Sequence, residues 1–215
     1  MNRGLKPRAS FRRRMGEQYF ANRPSSRRRP SAIRVVLRGH SLTFRSDAGV
    51  FSREAVDRGT HLLIDALDLG PKARILDLGC GYGAIGIVAS RLTEGGHVIL
   101  TDVNRRAVAL ARANLTANGI TNAEVREGDL YAPVAGLAFD DILCNPPIRA
   151  GRAVVDQLIS DAPAHLPAGG HLWLVARTKQ GAESIRARMI EAFGNATVVR
   201  RGSGFKVLRS VKEVA

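Results

Sequence analysis

Ile75-Leu76-Asp77-Leu78-Gly79-Cys80-Gly81-Tyr82-Gly83-Ala84-Ile85-Gly86 is the stretch that decides the fold of this chain. A short apolar run ends in an aspartate, four glycines follow within eight residues, and an apolar helical pattern begins. The order is strand, tight turn, helix, with the first helical turn set against a ligand. Glycine at Gly79, Gly81 and Gly83 lets the backbone approach that ligand without Cβ atoms in the way. Two cofactors compete for such a turn. Gly81-x-Gly83-x-x-Gly86 fits the dinucleotide fingerprint, and Asp102 ends the next apolar run, where a ribose-binding acid belongs. Asp77, however, stands two residues before the first glycine. A buried carboxylate repels a pyrophosphate and favours an amine or a sulfonium. Asp77 therefore points to S-adenosylmethionine in preference to NAD, with Asp102 accepting from the ribose hydroxyls. The competing reading of Asp102 is a turn or cap residue before Asn104.

Outward from this turn the chain alternates. Strands are expected at 74–78, 97–102, 123–127, 139–144 and 171–177, and helices at 83–93, 105–118, 152–165 and 181–193. Such alternation gives a parallel sheet with helices on both faces. The runs 195–201 and 205–212 are joined only by Gly202-Ser203-Gly204, which permits an antiparallel hairpin and nothing else. Upstream, 32–38 and 40–45 flank Gly39 and form a second hairpin. Ser52 is the expected N-cap of a helix running to Gly70-Pro71. Gly59 inside that helix costs about 1 kcal/mol relative to alanine, and serves either close packing or a ligand. The expected organisation is one α/β domain over 31–215 after a basic, largely disordered tail over 1–30.

Charge supports that division. The chain carries 33 Lys/Arg against 19 Asp/Glu, a net charge of +14. Residues 1–30 hold ten Lys/Arg and one acid, Glu17, so most of the excess sits there. A basic tail on a mildly basic domain fits a polyanion, most simply nucleic acid. Pro7, Pro24, Pro30, Gly4 and Gly16 interrupt any long amphipathic helix, which argues against a mitochondrial presequence, and a secretory apolar segment is lacking. The longest apolar runs fall far short of a membrane span. Two cysteines, Cys80 and Cys144, form no disulfide framework and suit a reducing, cytoplasmic setting. The five histidines show no metal-ligand spacing, so no metal is expected.

A second motif carries chemistry. Asp140-Asp141-Ile142-Leu143-Cys144-Asn145-Pro146-Pro147-Ile148 is a strand ending in Asn-Pro-Pro, where ligands bind in open α/β sheets. The prolines fix the loop, so the Asn145 side chain and the Pro146 carbonyl become two held acceptors. A planar amine can donate both hydrogens to them, which aims its lone pair at a methyl sulfonium. Gly128-Asp129-Leu130 ends the third strand, where Asp129 either reaches an adenine amino group or marks a plain turn.

Asp77-Leu-Gly-Cys-Gly-Tyr-Gly-Ala-Ile-Gly together with Asn145-Pro-Pro-Ile-Arg-Ala-Gly151 resembles the class I S-adenosylmethionine-dependent methyltransferases. More narrowly, the chain resembles their small-domain group of ribosomal RNA guanine-N2 methyltransferases. Gln18-Tyr19-Phe20, Pro24-Ser25, Thr43 to Ser52 and Asp57-Arg58-Gly59-Thr60 match that group upstream. The resemblance implies a Rossmann-like, seven-stranded, mostly parallel sheet with the last hairpin as its antiparallel edge. It also implies that Phe51, Ser52 and Thr60 line the cofactor pocket, beside Asp77, Gly79, Gly81, Gly83, Asp102, Asp129 and Asn145. The acceptor side falls to Asn145, Pro146, Pro147 and Ile148. Two departures stand out. The residue after Asn-Pro-Pro is often aromatic in amine-methylating relatives and is Ile148 here. The second, degenerate domain of the larger members is not expected in this chain, so the arginine-rich tail, Arg149 and Arg152 are the candidates for RNA docking, the last two reading equally as a solvated helix start.

The function expected on these grounds is methyl transfer to an exocyclic base amine of RNA, foremost guanine N2 of ribosomal RNA or a ribosomal subunit precursor. Adenine N6, a protein glutamine amide, a non-catalytic RNA-binding module of the same fold and an NAD enzyme are the alternatives.

Overall fold

In this computed structural model the described residues are 29–50, 52, 55–146, 151–179 and 181–214. The expected alternation is present. Strand β3 (Arg74–Leu78) leads through the glycine turn into helix α2 (Ala84–Leu92), then β4 (His97–Asp102), α3 (Arg105–Ala117) and β5 (Ala123–Glu127). The chain then crosses back to β6 (Asp141–Cys144), α4 (Arg152–Asp161), β7 (His171–Arg177) and α5 (Ala182–Phe193). Strands β8 (Thr197–Gly202) and β9 (Phe205–Val211) close it.

The seven strands lie in the order β5-β4-β3-β6-β7-β9-β8. Strands β3 to β7 are mutually parallel, and β9 inserts antiparallel between β7 and β8. The strand order reverses between β3 and β6, with Asp77 paired to Leu143. Open α/β sheets bind ligands at such a switch point, beyond the carboxyl ends of the strands. Both motifs that carry chemistry, the glycine turn after β3 and the Asn145 loop after β6, leave the sheet there.

Alternation along each strand splits the core in two. Ile75, Val98, Leu100, Leu143, Trp173 and Val207 pack on one face, under α2, α3 and the upstream helix α1 (Arg58–Ala66). Leu76, Leu78, Ile99, Ile142, Leu172, Leu174 and Leu208 pack on the other, under α4 and α5. Strands buried on both faces read as continuous apolar runs. Trp173 is core as expected, and its Nε1 donates to buried Asp141 (2.7 Å), which also meets His171 Nδ1 at 3.1 Å. This polar group sits at the amino ends of β6 and β7, away from the switch-point edge.

The upstream hairpin is β1 (Ser31–Leu37) and β2 (His40–Ser46), antiparallel in register from Ser31↔Ser46 to Leu37↔His40. It is a sheet of its own. Two asparagines of α3's carboxyl end stand in for a third strand. Asn114 Oδ1 accepts from Arg45 N (2.7 Å) while its Nδ2 donates to Arg45 O and Tyr82 O (both 2.9 Å). Asn118 Oδ1 accepts from Thr43 N (3.0 Å) and its Nδ2 donates to Thr43 O (2.9 Å). Residues four apart on a helix thus match residues two apart on a strand.

Helix α1 (Arg58–Ala66) differs from its expected span. Its N-cap is Asp57, whose Oδ1 accepts from Gly59 N (2.9 Å) and Thr60 N (3.3 Å). Ser52 lies outside the helix at φ +58°, with its hydroxyl donating to the Ala55 carbonyl. The carboxylate captures the helix start. At the other end Arg38 Nη1 donates to the carbonyls of Leu67 (2.8 Å) and Ile64 (3.3 Å), which satisfies the last turn well before Gly70.

Candidate active site

The glycine turn is built by hydrogen bonds to β4. Gly79 N and Cys80 N both donate to Thr101 O at 2.9 Å. Gly79 and Gly81 have φ of +74° and +58°, and a Cβ on either would meet nothing within 4 Å. The backbone there lies open to a ligand in a conformation that suits glycine. Gly86 is a glycine for another reason. A Cβ there would lie 2.5 Å from Leu100 Cγ and 3.0 Å from Asp77 Oδ2. Its absence lets α2 settle onto β4 and lets Gly86 N donate to Asp77 Oδ2 at 2.8 Å.

Asp77 is fully buried, and its second oxygen, Oδ1, has no hydrogen-bond partner. Burial pushes its pKa up to about 7, the Gly86 amide opposes this, and the charge of Asp102 adds to it. An orphaned, buried carboxylate oxygen beside an open glycine turn is a site shaped for a cationic group. The donor set fits a sulfonium or amine and does not fit a pyrophosphate.

Asp102 ends β4 partly buried. Its Oδ2 accepts from Gly81 N (2.9 Å) and its Oδ1 from Asn104 N (2.8 Å). Asp102 therefore holds the turn, and a carboxylate keeps further lone pairs for hydroxyl donors. Burial raises its pKa, against the backbone amides that lower it. Asn104 caps α3 and donates its Nδ2 to Gly49 O (3.1 Å), while Arg106 donates to Ala48 O. Helix α3 thereby ties the loop before Ser52 to the β4 end of the site. Asp129 lies exposed in the turn after β5, two strands from the switch point.

Asn145 follows β6, and Pro146 beside it is buried. The Asn145 amide meets the start of α1. Its Nδ2 donates to Thr60 Oγ1 (2.9 Å) and Asp57 Oδ2 (3.2 Å), and Thr60 Oγ1 in turn donates to Asp57 Oδ2. With both contacts on Nδ2, Oδ1 is left to accept. Thr60 is committed to Asn145. Gly59, with two open readings in the sequence, has a packing reason: its Cβ would lie 2.8 Å from Phe205 Cε1. Asp57 was absent from the sequence-derived site. Its signal is the Asp-x-x-Thr spacing, which reads as a helix cap and says nothing of Asn145.

Phe51, Pro147, Ile148, Arg149 and the tail over 1–28 lie outside the described residues. Arg152 is exposed and lies 3.6 Å from Asp156, one turn along α4. The thiols of Cys80 and Cys144 are buried, unpaired by disulfide, and raised in pKa by that burial. Among the described residues no group of three or more His, Cys, Asp or Glu could hold a metal ion, and no helix is long and apolar enough to cross a membrane.

The family model of the methyltransferase small domain matches residues 41–209. The uncharacterized protein YbxB of Bacillus subtilis (strain 168) is 39% identical over 201 residues, which is 92% of this chain and 100% of that protein. The ribosomal RNA small subunit methyltransferase C of Serratia proteamaculans (strain 568) is 36% identical over 175 residues, 80% of this chain and 49% of that protein. The chain thus spans about half the length of that relative. A solved 16S rRNA N2 methyltransferase of T. thermophilus, in complex with AdoMet and guanosine, aligns with a TM-score of 0.76 at 29% identity. That alignment covers 88% of this chain and 52% of that one.

Proposed function

The chain belongs to the methyltransferase small-domain family, and we propose that it methylates an exocyclic amine of RNA, specifically guanine N2 of ribosomal RNA or a ribosomal subunit precursor. One observation carries the acceptor: the Asn145 amide is held by its Nδ2, so an oxygen is presented where the chain leaves β6. An amine needs such an oxygen; a hydroxyl acceptor would need a base. The ribosomal RNA reading is supported by the names of the relatives, by guanosine in the T. thermophilus complex and by the net charge of +14.

Asp77 Oδ1, the open backbone at Gly79 and Gly81, and Asp102 would hold S-adenosylmethionine. When bound, it supplies a methyl group on a sulfonium, which an amine nitrogen takes with its lone pair while the carbon–sulfur bond breaks onto sulfur. Asn145 Oδ1 and the Pro146 carbonyl accept the two N–H groups of the base amine. Their alignment turns the nitrogen lone pair outward and stabilises the positive charge that develops there. One N–H proton then leaves through these oxygens to water. Positioning supplies most of the rate, and no strong base is required.

The test uses the full chain, S-adenosylmethionine and ribosomal RNA or subunits from cells lacking this protein, read by nucleoside mass spectrometry. Methylguanosine is the expected product. Methyladenosine, or a methyl mark on protein alone, refutes guanine N2. Asn145→Ala should lower turnover at least about 10²-fold while cofactor affinity, measured by titration calorimetry, stays within about twofold. Wild-type turnover in that variant refutes the acceptor role. A protein that binds no S-adenosylmethionine refutes the enzyme reading and favours a bare RNA-binding module.

A further inference from the structure

We infer that Asp57 is a positioning residue for methyl transfer, acting through Asn145 to fix which end of that side-chain amide faces the acceptor. The inference rests on the proposed reading of Asn145. An asparagine amide has two ends of nearly equal shape, and only one of them can receive an amine. Rotation by half a turn would present a donor to a donor. Something must set the choice, and polarity around Asp57 sets it completely.

A carboxylate only accepts. Asp57 Oδ1 takes the Gly59 and Thr60 amides, and Oδ2 takes the Thr60 hydroxyl. The single hydroxyl hydrogen of Thr60 is thereby committed, so Thr60 Oγ1 can only accept from Asn145. Asn145 Nδ2 also points to Asp57 Oδ2 itself, at 3.2 Å. Both neighbours of the amide are acceptors, and each is an acceptor because of Asp57. The NH₂ end is thereby turned inward and Oδ1 outward.

The carboxylate is anchored on the sheet as well. Gly59 leaves room for Phe205 of β9, whose ring would stand 2.8 Å from a Cβ at that position, so the start of α1 is wedged against the strand. The charge of Asp57 is felt at the glycine turn as well. The Tyr82 phenol is raised in pKa by burial first and by the charge of Asp57 second. Tyr82 packs on Phe44 of β2, ring centroids 5.5 Å apart. Asp57 therefore joins the start of α1 to the acceptor loop.

Asp57→Asn separates this role from helix capping. Asparagine is as good an N-cap as aspartate, so its Oδ1 keeps the start of α1. Its NH₂ then faces Thr60 and Asn145, and the Asn145 amide must turn its oxygen inward to meet it. Thr60→Val is the second variant: it keeps both backbone amides on the Asp57 cap, conserves volume and removes one of the two acceptors.

The experiment measures thermal midpoint, S-adenosylmethionine affinity, single-turnover rate on RNA and the side-chain amide NMR signal of Asn145, assigned by its loss in Asn145→Ala. For Asp57→Asn, the midpoint and the affinity should stay near wild type, within about twofold for the latter. The rate should fall about 10²-fold, and both Asn145 amide protons should shift. Thr60→Val should move the same signals less. Wild-type turnover in Asp57→Asn beside a dead Asn145→Ala overturns the inference and leaves the proposed function standing. Should the wild-type protein methylate no RNA amine, the proposed function fails and the NMR signal decides alone. An Asn145 amide unmoved by Asp57→Asn then overturns the inference, and a shifted one upholds Asp57 as the residue that orients that amide.

Discussion

Asp77→Asn should separate what stabilises this protein from what makes it bind. Asp77 is fully buried with one oxygen orphaned, and its pKa is raised to about 7 from an ordinary value of 3.8. In the unfolded chain the group ionises near its ordinary value; in the cofactor-free fold it holds its proton until about neutral pH. Between those values the folded state binds more protons, so this group's stabilising contribution is complete below pH 4 and is lost as pH rises to 7. The slope is about 1.4 kcal/mol per pH unit. Over roughly three units the loss is about 4 kcal/mol, an upper figure because water reaching the site would soften it. Asparagine has the same shape, can still accept from Gly86 N, and does not titrate. Its NH₂ would be an unsatisfied donor, costing about 1–3 kcal/mol.

The assay is denaturant unfolding of both proteins, without cofactor, from pH 4 to 8.5. The stability of Asp77→Asn relative to wild type should climb with pH up to about 7 and then level off. At pH 8 the variant should be the more stable protein, by about 1–3 kcal/mol. A difference that does not change with pH would refute the reasoning, since it would mean Asp77 titrates normally in the fold. Cofactor affinity should move the other way. The cation requires the ionised carboxylate, so wild-type affinity at pH 6 should be about tenfold weaker than at pH 8. Asp77→Asn should bind weakly at both.

Two further variants probe the frame around the site. Gly86→Ala should lose about 1–3 kcal/mol in chemical denaturation despite alanine's better helix propensity, because its Cβ would lie 2.5 Å from Leu100 Cγ. It should also weaken cofactor binding by displacing the Asp77 carboxylate; a gain in stability would show that α2 can lift off β4 at no cost. Asn114→Ala removes the partner of Arg45 N, Arg45 O and Tyr82 O. A loss of about 2–4 kcal/mol is expected, with faster amide exchange at Arg45; unchanged exchange there would refute the strand-mimic role.

By itself the sequence determined most of what is local. Glycine spacing after β3 fixed the turn, and apolar periodicity fixed the alternating strands and helices. The short stretch Gly202-Ser203-Gly204, whose first residue pairs with Phe205, left the last two strands no choice but an antiparallel pair. Asp77 before the turn identified a cationic ligand from charge alone. The start of α1 was less legible, since Ser52 and Asp57 are both capping residues, and only the fold shows which of them meets the helix amides. Tertiary structure alone decided what lies beside what. Periodicity gives each parallel strand two buried faces and says nothing of its neighbours. The reversal of strand order between β3 and β6 therefore had to be seen before Asp77 and Asn145 could share one edge. The same holds for Asp57, which reaches Asn145 across 88 residues of chain. Its capping role is written in its own neighbourhood. Its grip on the acceptor amide exists only because α1 packs beside the end of β6.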